Sequence, residues 1–71
     1  MKNYYGVMET HDGGTIEVRP LGCVRQSKIP EDTLERRLNA RILRNWYRTE
    51  SLARKALELR SGMLKRMGVL K

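Results

Sequence analysis

The stretch Pro30 to Met67, PEDTLERRLNARILRNWYRTESLARKALELRSGMLKRM, most constrains what this chain can become. Helical residues advance by about 100° each, so apolar positions spaced i, i+3, i+4 and i+7 share one face. Leu34, Leu38, Ile42 and Trp46 form an i+4 ladder, and Arg37, Arg41, Arg44 and Arg48 run beside it as a basic stripe. Pro30 suits a first helical position, and Glu31 and Asp32 suit the positive end of a helix dipole. Asp32 with Glu35 reads alternatively as a capping box, which shifts the start by two residues. These signals predict a first helix over about residues 30–47.

Thr49 is the expected N-cap of a second helix over about residues 50–67. Leu52, Ala56, Leu59, Met63 and Met67 align on its apolar face, which Ala53, Leu57 and Leu64 widen. Arg54, Glu58, Ser61 and Lys65 lie opposite, with Arg54 and Glu58 in pairing range. Arg60 falls inside the apolar sector and must snorkel or serve a partner. Gly62 weakens the helix, yet the apolar period continues to Met67, with Gly68 as the residue after its end. A helix ending at Gly62 is the alternative.

Residues 3–20 read as a β-hairpin. Tyr4, Tyr5, Val7, Thr15, Ile16 and Val18 favour strands, and His11-Asp12-Gly13-Gly14 is a turn signal. With Asp12-Gly13 as the loop, Val7 opposes Val18 and Tyr5 opposes Pro20. Tyr5, Val7, Ile16 and Val18 then share the face that packs on the helices, and Tyr4, Gly6, Met8, Glu17 and Arg19 share the other. A Gly13-Gly14 loop opposes Glu9 to Val18, a poorer pair. Pro20 is expected to end the second strand, since it cannot donate to a ladder. Residues 21–29 then form a connector, with a third short strand over Leu21 to Val24 as an option. The expected fold class is α+β: one domain of 71 residues, with an N-terminal β-hairpin packed on two consecutive amphipathic helices.

Seventy-one residues bury only about 60% of their unfolded surface, so the core is small. One cysteine allows no intrachain disulfide. No apolar run approaches the roughly 18 residues of a membrane span, and the opening MKNYYGVMET lacks a signal-peptide apolar region. A reducing cytoplasm is the expected compartment. The formal net charge is +7. Residues 1–30 carry four basic and three acidic groups, and residues 31–71 carry eleven and five, so the asymmetry is +1 against +6. Such a field attracts nucleic acid or an acidic protein surface, or else only keeps the chain soluble.

Catalytic chemistry finds little to build on. His11 beside Asp12 has the types of a general base, but a pair at a turn tip is ordinarily solvated. Cys23 is a lone thiol, of the kind that most often fills a small core site. Gly13-Gly14 is not followed by the lysine and serine of a phosphate-binding loop. One Cys and one His leave no zinc ligand set. The chain is therefore expected not to be an enzyme, and to need neither cofactor nor metal. Trp46 and Tyr47 sit among Arg44 and Arg48. Aromatics interleaved with arginines stack bases or anchor protein interfaces, and otherwise fill the core. Of the neighbours Tyr4 and Tyr5, alternation turns only one inward and leaves the other available.

Two resemblances bear on function. Ile29-Pro30-Glu31, a helix, and Thr49-Glu50-Ser51-Leu52-Ala53-Arg54-Lys55-Ala56-Leu57 resemble a ribbon-helix-helix DNA-binding domain over about residues 24–60. The resemblance implies a dimeric repressor whose Gln26 and Lys28 read bases. Arg25 and Ser27 stand where that family places apolar residues, and Asn45 stands where its interhelical glycine is usual. The opening MKNYYGV, the size, the basic charge and the hairpin-then-helices plan are similar to the small RNA-polymerase-binding transcription regulators of lytic Xanthomonas phages. That resemblance implies a protein acting in the cytoplasm of an infected bacterium. It implies docking on host RNA polymerase near the β′ N-terminal segment and the RNA exit channel, hindrance of sigma-dependent initiation, and suppression of intrinsic termination. Asn3, Tyr4, Tyr5 and Val7 would then be the docking residues. Arg37, Arg41, Arg44, Arg48 and Tyr47 would face an acidic protein surface or nascent RNA.

Overall fold

A computed structural model describes residues 1–71. Four strands and one helix follow in order: β1 (Lys2–Asp12), β2 (Thr15–Gln26), β3 (Thr33–Arg36), β4 (Ala40–Tyr47) and α1 (Glu50–Met67). The strands form one antiparallel sheet in the order β2-β1-β4-β3, so β1 lies inside it. The α+β class is right, but the expected hairpin on two helices is not. Residues 30–47 are not helical and supply the β3–β4 hairpin instead.

The reason lies in the spacing itself. Steps of four residues fit a 3.6-residue period, but they are also multiples of the two-residue period of a strand. The tertiary pairing splits the ladder. Leu34 stands opposite Leu43, while Ile42 and Trp46 point to the other face of β4. Leu38 falls in the two-residue loop closed between Arg37 and Ala40, where it is 97% exposed. The expected cap serves the sheet instead: the Asp32 carboxylate accepts from the Trp46 N–H at 2.9 Å.

The first hairpin is longer than residues 3–20, and its loop is Gly13-Gly14. Asp12 opposes Thr15 and Glu9 opposes Val18, which corrects the Asp12-Gly13 register. Gly13 has φ 63°, a left-handed conformation that glycine adopts without steric penalty. Pro20 does not end β2. The strand lies at the sheet edge, and its register slips between Gly6 and Val7, leaving Leu21 unpaired and Gly22 at φ 83°. An edge strand with a bulge tolerates a residue that lacks an N–H. Most of the expected connector is therefore strand.

The helix occupies its expected span. The Thr49 hydroxyl accepts from the Leu52 N–H at 3.1 Å, Gly68 closes the end at φ 75°, and Gly62 lies within. Arg54 pairs backwards with Glu50 at 2.7 Å rather than with Glu58. Its packed face is rotated from the expected one. Ala53 and Leu64 are buried, Leu57, Arg60 and Ser61 are half-buried, and Leu52, Leu59, Met63 and Met67 are exposed. Beyond α1 the chain returns to the sheet. Ile16 donates its N–H to the Val69 carbonyl at 2.8 Å and accepts from Lys71 at 2.9 Å.

The face away from α1 carries its own packing. Gly6 stands opposite Trp46, whose ring crosses the glycine with Leu21 on the far side. Tyr4, on the same face and opposite Val24, is only 3% exposed. A Cβ on Gly6 would lie 2.8 Å from Trp46 Cζ3 and 2.9 Å from Leu21 Cβ. Gly6→Ala is expected to destabilise the fold by about 1–3 kcal/mol through overpacking. Gly62→Ala, where a Cβ meets nothing within 4 Å, is expected to stabilise it by about 1 kcal/mol. Urea unfolding of both variants checks the opposite signs.

Candidate interaction surface

Alternation along β1 sends Tyr5, Val7, Glu9 and His11 toward α1. Glu9 is a carboxylate on a core-facing position and is 8% exposed. Arg60 reaches it across the helix–sheet interface. Its Nε donates to both carboxylate oxygens at 3.0 Å, and its Nη2 donates to Oε1 at 2.7 Å. His11 Nε2 lies 2.8 Å from the same Oε1. Burial alone pushes the Glu9 carboxyl up, but the hydrogen bonds from Arg60 and His11 outweigh it and hold the carboxyl below its ordinary value. The carboxylate in turn pushes the Arg60 guanidinium up. This cluster is occupied with its own charges. Glu9 has given its lone pairs to Arg60 and His11, which leaves it a poor proton acceptor for any outside group.

The sequence flagged Arg60 as a cation in an apolar sector that must snorkel or serve a partner, and the structure pairs it with Glu9. Alternation already placed Glu9 with Tyr5 and Val7 on the helix-packing face, but a carboxylate at that position did not by itself name Arg60 as its partner.

The residues anticipated for docking separate on folding. Asn3 is exposed, while Tyr4 and Val7 are core residues. Tyr5 is half-buried and directly opposes Cys23. Together with Pro20, Ala53 and Leu57 they line a cleft of about 500 Å³ between β2 and the start of α1. Charge on the neighbouring Cys23 thiolate is the main influence pushing the Tyr5 phenol up. The thiol itself is exposed rather than a core filler.

The arginine stripe does not survive as a stripe, because it was laid out on a helix that is a strand. Arg41 faces α1 and lines the opening beside Leu43 and Tyr47. Arg44 points to the opposite face and donates to Glu35 Oε1 at 3.3 Å. Arg37, beyond the end of β3, closes on the other oxygen of Glu35. These two guanidinium groups, Arg37 first, hold the Glu35 carboxyl below its ordinary value. Arg48 is exposed past the end of β4, and Tyr47 is half-buried. Arg36, Arg41 and Arg48 form no ion pair. They are the cations of residues 30–48 left free for a partner.

Gln26 is half-buried, and Lys28 lies exposed just past β2. The Gln26 amide donates to the Lys28 carbonyl at 2.9 Å, and Gln26 pairs with Lys2 at the end of β2. The ribbon-helix-helix reading falls with its first helix. No group of three or more His, Cys, Asp or Glu side chains comes together as a metal-ligand set. No helix is long and apolar enough to cross a membrane. Comparison with protein-family models, curated proteins and solved structures returns no match.

The Glu9 cluster generates a signed pH dependence. Its folded carboxyl titrates below the ordinary glutamate value of 4.5. The stabilisation is therefore complete above that value and lost as pH falls through the lower folded value. Glu9→Gln is expected to cost about 1–3 kcal/mol at neutral pH, the worth of a hydrogen bond to a charged group. It should also flatten the fall in melting temperature between about pH 6 and pH 3. Thermal unfolding across that range is the check.

Proposed function

We propose that this protein is a phage-encoded transcription regulator that binds host bacterial RNA polymerase and works without turnover. On this reading it acts in the cytoplasm of the infected cell, near the β′ N-terminal segment and the RNA exit channel. It hinders sigma-dependent initiation and suppresses intrinsic termination by occupying space and placing positive charge. The observation that carries the proposal is the opening segment MKNYYGV, in which Asn3 and Tyr5 stay accessible. The free arginines support it, since a net charge of +7 on so small a scaffold favours acidic protein surfaces and RNA phosphates.

The docking assignment is narrower than Asn3, Tyr4, Tyr5 and Val7 together. Tyr4 and Val7 hold the sheet, so their loss acts through folding. Tyr5 and Asn3 remain as the β1 contacts. Arg48, near the end of β4 that pairs with Tyr5, remains as a free cation.

A pull-down from nuclease-treated bacterial lysate with the tagged chain, at moderate salt, tests this. RNA polymerase subunits should be recovered. Tyr5→Ala and Arg48→Glu should each weaken recovery while leaving the circular dichroism unchanged. Tyr4→Ala should instead lose about 3–5 kcal/mol of stability, the cost of truncating a buried aromatic. If polymerase is not recovered and nucleic acid is retained only when nuclease is omitted, the polymerase reading is wrong and the arginines serve nucleic acid directly.

A further inference from the structure

The sheet is wider than the helix that covers it. Four strands about 4.8 Å apart span roughly 15–19 Å, and a helix with its side chains is about 10–12 Å across. α1 lies over β2 and β1, reaches β4, and does not approach β3. The half of this face made by β4 and β3 is left uncovered. Leu34, Leu43 and Tyr47 form its floor, and Ala56, Leu59 and Met63 on the flank of α1 form its wall. The resulting trough has a volume of about 530 Å³.

Its apolar groups are open to water. Leu34 is 50%, Leu59 68% and Met63 43% exposed. This exposure follows from the Glu9–Arg60 pair. By turning Arg60 toward the sheet, it rolls the ridge of Leu59 and Met63 off the core and over the trough.

We infer that this trough seats an amphipathic helix of a partner protein whose apolar face is flanked by acidic residues. A second helix fits beside α1 only by packing against it, with axes about 8–10 Å apart, over the β4–β3 half of the face that α1 leaves open. The charge matches as well. Arg41 lines the trough without an ion pair, and Arg36 stands directly opposite it in the β3–β4 hairpin, also unpaired. A second copy of this chain is a poor occupant, since it would bring another +7 against these arginines. Nucleic acid would use the arginines but not the leucine and methionine wall. The inference is independent of the polymerase reading, because it specifies the chemistry of the segment and not the protein that carries it.

A titration followed by amide NMR tests it. The probe is a synthetic peptide of about 16 residues, long enough to form a helix on its own, with leucine on one face and glutamate on its flanks. Shifts should concentrate at Leu34, Leu43, Leu59 and Met63. Leu59→Glu, at an exposed site, should weaken binding by about tenfold or more. Arg41→Glu should weaken it independently, and added salt should do the same to the wild type. The same peptide with lysine in place of glutamate should not bind. Absence of shifts, shifts confined to other surfaces, equal binding of the lysine peptide, or a dimer by sedimentation that occupies the trough would each overturn the inference. So would an RNA oligonucleotide that moves the same resonances more strongly than the peptide.

Discussion

The bidentate contact between Glu9 and Arg60 joins residues 51 positions apart and fixes how the helix meets the sheet. A buried carboxylate is costly unless paired and hydrogen-bonded, so β1 must present Glu9 where Arg60 can reach it. That requirement agrees with the hairpin register, in which Glu9 opposes Val18 on the helix-facing side. It also agrees with the roll of α1, which brings Ala53 and Leu64 into the core beside Arg60. A carboxylate–guanidinium pair is directional where apolar packing is not. In a chain with so few buried side chains, it specifies an orientation that Ala53 and Leu64 alone leave loosely set.

The sheet also solves a two-sided problem. α1 covers one face in part, and on the other Trp46 lies over Gly6 and Tyr4 is buried. Only a glycine allows the indole to lie so close to β1. The edges are managed as well. β3 is four residues long, β2 is interrupted by Pro20 and a bulge, and the C-terminal residues pair with Ile16. Such devices keep an exposed edge from recruiting stray strands.

These same constraints set the chemistry of the surface. Glu35 draws Arg37 and Arg44 into local pairs and removes them from the pool of free cations. Arg36 and Arg41 in the β3–β4 hairpin and Arg48 just past β4 stay available, beside the exposed Lys55, Lys65 and Arg66 of α1. The apolar ridge of α1 overlooks that hairpin, and greasy and cationic groups meet in one trough. Neither group was brought there by its own element alone. Arg41 owes its side to strand parity, and Leu59 owes its exposure to Arg60.

By itself the sequence determined what local chemistry controls. The α+β class, the strand character of β1, the span of α1, its Thr49 and Gly68 caps, and the place of Arg60 in an apolar sector were all legible. These depend on capping hydroxyls, a left-handed glycine and periodicity within one segment. The β3–β4 hairpin was not legible, because an apolar spacing of four fits a helix and a strand alike. Only pairing with β1 chose between them, placing Leu34 on Leu43 and Trp46 on Gly6. The tertiary structure likewise decided that Glu9 pairs with Arg60, that Tyr4 is core while Tyr5 keeps a cleft, and that the arginines divide between two faces. Each of those outcomes depends on a partner far away in the chain, and a distant partner leaves no mark in the local pattern.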